Sequence, residues 1–144
     1  MLAAVLSGDA KMLAELMRQD PGVNVNEEDV FGKIPLHYAC ASGKRSAVIP
    51  LLLAHPDIDV NVKDIDGVTP FNLACLNGLT SCVRPLLLDS RVKVNEPSNE
   101  GCTPLFWAAH AGHLDVIKWW IASGREMDLG IPGDVDTTDA IGAA

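Results

Sequence analysis

Apolar residues along this chain arrive in short bursts separated by turn residues, and the bursts repeat. "PLHYACASG" (35–43), "PFNLACLNG" (70–78) and "PLFWAAHAG" (104–112) each close on a glycine. A heavier burst follows each of them: "SAVIPLLLA" (46–54), "SCVRPLLLD" (81–89) and "DVIKWWIA" (115–122). This pattern predicts a short first helix rich in small residues and a second helix carrying most of the apolar load.

The punctuation keeps step with the bursts. Gly32, Gly67 and Gly101 are 35 and 34 residues apart, and Gly8, Gly43, Gly78 and Gly112 are 35, 35 and 34 apart. Pro35, Pro70 and Pro104 share the interval. Two glycine series and a proline series in phase mark one structural unit repeated along the chain.

Each unit reads physically. The first glycine, in "DVFGK", "DIDGV" and "SNEGC", suits a turn position with positive φ. Thr69-Pro70 and Thr103-Pro104 fit a helix start, with a hydroxyl N-cap and a proline where no N–H is needed. The second glycine (43, 78, 112) suits a left-handed helix end. A short β-like arm, "DIDVNVK" or "RVKVNEP", leads into the next turn. Pro50 and Pro85 both lie seven residues after their inter-helix glycine. Inside a helix each would cost about 3 kcal/mol, so second helices starting near 46 and 81 are expected, with the prolines in the first turn. One such unit cannot bury its apolar side alone, so the units are expected to stack into a solenoid.

With "DVFGKIPLHYACASGK", "DIDGVTPFNLACLNGL" and "SNEGCTPLFWAAHAGH", plus "DVN" at 59–61 and "KVN" at 93–95, the chain resembles the ankyrin-repeat family. The resemblance covers full units at 29–63, 64–97 and 98–130. Residues 1–28 resemble an earlier unit without its turn. "TTDAIGAA" (137–144) falls where the next Thr-Pro-Leu-His should begin, so 131–144 is expected to be a truncated further unit of a longer protein. The implied fold is all-α, an ankyrin-repeat solenoid of helix-turn-helix units joined by β-hairpin-like loops, in one domain.

The sequence departs from the family pattern in one respect. Members commonly join the Thr hydroxyl and His imidazole of Thr-Pro-Leu-His, yet the first unit has Ile34 with His37, the second Thr69 with Asn72, and the third Thr103 with Phe106. Ile34 cannot cap, so Ile34→Thr is expected to add about 1 kcal/mol.

The resemblance implies a monomeric scaffold or adaptor that binds a partner protein through a concave face and its turn tips, with no catalysis and no cofactor. The family's variable positions fall here on Val30, Phe31, Lys33, Ala41 and Ser42 in the first unit. In the second they are Ile65, Asp66, Val68, Leu76 and Asn77, and in the third Asn99, Glu100, Cys102, His110 and Ala111. Apolar Phe31, Ile65 and Val68, edged by Asp29, Asp64, Asp66 and Glu100, suit a partner with apolar anchors and basic residues. Two alternatives remain: a targeting or spacer arm of a larger enzyme such as a kinase or ubiquitin ligase, and a substrate of an asparaginyl hydroxylase acting at Asn61 or Asn95. Trp119, which stands where the other units carry proline, is a candidate interface hot spot.

Charge and chemistry narrow the picture further. The 144 residues carry a formal charge of −8 and no basic run longer than Lys44-Arg45, which argues against nucleic acid or an anionic membrane surface. No apolar run spans a bilayer, and the N-terminus has no basic n-region. A cytoplasmic protein is expected, with the nucleus as the other possibility, and its thiols reduced.

Cys40 and Cys75 sit one repeat apart, too far for a disulfide when units stack about 10 Å apart, and no paired Cys spacing suggests zinc. Cys102, beside Gly101, holds a position open to exposure. His110 and His113 lack a third ligand. "DIDVN" (57–61) begins like a calcium loop, but Val62 and Val68 stand where its Gly and Glu should be. Nucleophile elbows, phosphate loops and zinc-protease motifs are missing from the sequence.

Overall fold

The structure, a computed structural model, describes residues 1–130. The expected further unit at 131–144 lies outside the described residues. Eight α-helices are present in the described part: α1 Leu2–Ser7, α2 Ala10–Gln19, α3 Pro35–Ala39, α4 Ile49–Ala54, α5 Pro70–Leu76, α6 Thr80–Leu88, α7 Pro104–His110 and α8 Leu114–Ser123. A 3₁₀ segment, Gly43–Val48, precedes α4.

The first helices begin as their sequence dictates. Pro35, Pro70 and Pro104 open α3, α5 and α7. Thr69 Oγ1 accepts the Asn72 N–H at 3.2 Å, and Thr103 Oγ1 accepts the Phe106 N–H at 3.3 Å. Ile34 makes no such bond and instead lies fully buried. Replacing it with threonine would remove core packing as well as add a cap, so the expected gain does not follow.

The helix pairs stack in a row. First helix meets first helix, with α5 against both α3 and α7, and second meets second, with α6 against α4 and α8. Between the rows Val5, Leu13, Leu36, Leu52, Phe71, Leu86 and Trp120 are buried in one continuous core. Phe71 and Trp120 meet edge to face with centroids 5.3 Å apart. Each unit thus covers the apolar side of its neighbour, the source of stability in a stacked array.

Close approach explains one glycine directly. Gly78 has φ 65°, and a Cβ there would lie 2.3 Å from Nδ1 of His113 in the next unit. That imidazole's Nε2–H donates to the Leu76 carbonyl at 2.9 Å, closing the end of α5 across the junction. Gly43 departs from the expectation, since its φ is not positive. Extended Ser42 caps a 3₁₀ turn there by accepting the Lys44 N–H at 3.3 Å, so the chain enters its second helix without a left-handed residue.

The prolines divide. Pro50 lies in the first turn of α4, as expected. Pro85 is the sixth residue of α6, inside the helix rather than in its first turn. It has no N–H to offer the carbonyl of Ser81 four residues back, and Ser81 is exposed, where water can replace the bond. The arms also differ from their β-like reading, because no strand occurs among the described residues. Buried Ile58 and Val60, or Val92 and Val94, do alternate with exposed neighbours, but each arm lacks a strand beside it to form a ladder.

Candidate binding surface

The turn tips are rigid because aspartate folds the backbone around its own side chain. Asp29 Oδ1 accepts the N–H groups of Phe31 and Lys33, both at 2.9 Å. Asp64 Oδ1 does the same for Asp66 and Val68, at 2.9 and 3.0 Å. Asp29 also accepts the Tyr38 hydroxyl, which holds its carboxyl below the ordinary range and raises that of the phenol.

Neighbouring tips are tied to one another. The Ile65 N–H donates to the Phe31 carbonyl at 3.0 Å, and the Asn99 N–H to the Asp66 carbonyl at 2.9 Å. Lys33 Nζ lies 2.8 Å from Asp64 Oδ2. Burial pushes the Asp64 carboxyl up, but the Lys33 ammonium and the two N–H donors outweigh it and leave the group below its usual value.

His37 adds a second tie beneath the tips. Its Nδ1 accepts the Ile34 N–H at 3.1 Å and its Nε2 lies 2.8 Å from the Val68 carbonyl, an arrangement that needs the neutral Nε2–H tautomer. Burial pulls its pKa down, in keeping with that neutral form.

On this frame the apolar tip residues stand out into solvent: Val30 is 88% exposed, Phe31 53% and Ile65 61%. Ala41, Asp66, Asn77, Asn99, Glu100, His110 and Ala111 are also exposed, while Lys33, Ser42, Val68 and Leu76 are half-buried. Cys102 is only 2% exposed, so it drops out of the contact surface, and burial raises its thiol pKa. Burial likewise raises Cys40, Cys75 and Cys82.

The structure brings Asp66, Val68, Asn99 and Glu100 together with Ser98 and Trp107 around a cavity of about 340 Å³. Trp107 was not among the expected contact residues. It occupies the register of Tyr38 and Leu73, and its large side chain at that register was the available signal. Phe106 meets its ring edge-on at 5.5 Å, and Phe106 stacks on His110 at 5.5 Å.

On the second-helix side, Trp119 is 42% exposed with the Arg84 guanidinium 3.8 Å from its ring centroid, beside strongly exposed Leu88. Trp120 is wholly buried.

The arm asparagines have a structural task. Asn61 donates from Nδ2 to the Arg91 carbonyl at 2.9 Å and accepts the Lys93 N–H at 2.8 Å. Asn26 bridges Asp57 and Asp59 in the same way one unit earlier. Asn95 accepts the Asp128 N–H at 3.1 Å.

Among the described residues, no group of three or more His, Cys, Asp or Glu side chains is placed to hold a metal ion. None of the helices described is long and apolar enough to cross a membrane.

A row of helix pairs with tied tips defines a stacked-repeat protein that holds apolar side chains exposed at its tips. A family profile described as ankyrin repeats (3 copies) matches residues 1–95 and 45–130, and the chain belongs to that family. Ankyrin repeats generally mediate protein–protein interactions, and such domains are typically non-catalytic. No curated protein matches the sequence.

Proposed function

We propose that this protein is a non-catalytic scaffold or adaptor that captures a protein partner on the face formed by its turn tips and first helices. The observation that carries this reading is the row of exposed Val30, Phe31 and Ile65, held in line by tip-to-tip hydrogen bonds. Apolar side chains fixed in the open by a rigid backbone lose little entropy when covered, which favours their use as anchors. Asp66 and Glu100 beside them, with Glu27 and Glu28 at the first tip, favour a partner segment carrying basic residues.

Changing Phe31 and Ile65 together to alanine tests the reading. Both are exposed, so the melting temperature should stay within a few degrees while partner affinity falls about tenfold or more. The matched control is Leu88→Ala on the second-helix side. Equal partner retention by wild type, the tip variant and the control would refute the assignment.

A further inference from the structure

The two tip junctions share a backbone and are filled differently. Between the first and second tips the Lys33 ammonium sits on Asp64 at 2.8 Å. One unit later Val68 stands at the register of Lys33, and Ser98 at that of Asp64. The backbone tie survives, since the Asn99 N–H reaches the Asp66 carbonyl as the Ile65 N–H reaches that of Phe31. The ion pair does not survive, and the buried Ser98 hydroxyl finds no nitrogen or oxygen partner, with only the weakly bonding Cys102 thiol beside it. What remains is the 340 Å³ cavity walled by Asp66, Val68, Ser98, Asn99, Glu100 and Trp107.

These walls suit a cation with an apolar stem. Asp66 and Glu100 are exposed, and neither takes part in a salt bridge among the described residues. The Trp107 indole is half-buried and buttressed by Phe106. Aromatic rings attract ammonium and guanidinium groups, and the protein uses that attraction elsewhere, with Lys33 5.9 Å from the Phe31 ring centre and Arg84 over Trp119. Val68 and the indole would line the methylene stem of a long basic side chain.

We propose that the second tip junction is a seat for one Lys or Arg side chain of the protein partner. Its head group lies by Asp66 and Glu100, at the junction whose counterpart one unit earlier is filled from within by Lys33. The inference rests on the tip-face reading above and specifies the partner's chemistry at one position.

The test uses the whole chain and short synthetic peptides with one Lys or Arg among apolar residues. Matched peptides carry norleucine in place of the basic residue. Both series are titrated and followed by amide NMR. The cationic series should bind about tenfold more tightly and shift Asp66, Asn99, Glu100 and the Trp107 indole N–H. Asp66→Asn with Glu100→Gln should abolish that preference. Val68→Lys with Ser98→Asp, which rebuilds the internal ion pair, should also abolish it by filling the seat.

Equal binding of the two series, or a preference that survives in the Asp66→Asn, Glu100→Gln variant, overturns the seat. If peptides bind equally but are still lost on changing Phe31 and Ile65 to alanine, the tip face stands and the seat alone fails. Binding indifferent to Phe31 and Ile65 would remove both.

Discussion

Asn72 stands where the preceding unit has His37, and the exchange leaves a defect. His37 links its own helix start to the Val68 carbonyl across the junction, while the buried Asn72 amide finds no partner for either its oxygen or its nitrogen. A buried polar group without a partner costs on the order of 1–3 kcal/mol. Asn72→His should recover about 1 kcal/mol by reaching the Cys102 carbonyl, the counterpart of Val68. A urea midpoint equal to or below wild type would refute this.

His37 itself makes stability depend on pH. Burial depresses its folded pKa below the ordinary 6.5, so as pH falls the unfolded chain takes up the proton first. The His37 contribution is therefore complete above that value and is lost as pH falls through the lower folded one. The urea midpoint should decline from about pH 7 to about pH 5, and His37→Gln should flatten this limb. An unchanged slope in the variant would show that other groups are responsible.

At the scale of the element, the repeat was legible because caps and turns are local. Thr69 and Thr103 had to find an N–H three residues on, and the tip glycines had to supply positive φ of 75° and 83°. What escaped depends on neighbours. Ser42 competes with Gly43 to define the start of the next helix, and Pro85 is tolerated because Ser81 faces water. Cys102 looks like a loop residue, yet it is only 2% exposed. The tip surface was readable as a set of positions. The cavity at Trp107 was not, since it arises only when two units meet.

The arms illustrate how units are joined without a strand ladder. Removing the Asn61 amide deletes two bonds to the following arm, at Arg91 and Lys93. Both residues are exposed, so water replaces part of the loss, and Asn61→Ala should cost about 1 kcal/mol. Amide exchange at Lys93 should accelerate in step. Unaltered stability and exchange would mean that the bridge contributes nothing.

Across the described residues, the main contacts of each unit are with its neighbours, so the core runs lengthwise and the tips form one edge of the row. Stability is spread along the array, and the proposed recognition surface draws on tip side chains that the core does not use. The formal charge of −8 would add a long-range pull on the basic partner proposed above, and association with such a partner should slow as salt screens it.

Hydrogen–deuterium exchange on the chain, free and bound to its captured partner, tests this division most directly. Slowed exchange is expected at the tips, residues 29–33, 64–68 and 98–102, with α6 and α8 unchanged. Protection centred on α6 and α8 around Arg84, Leu88 and Trp119, with the tips unaffected, would contradict it.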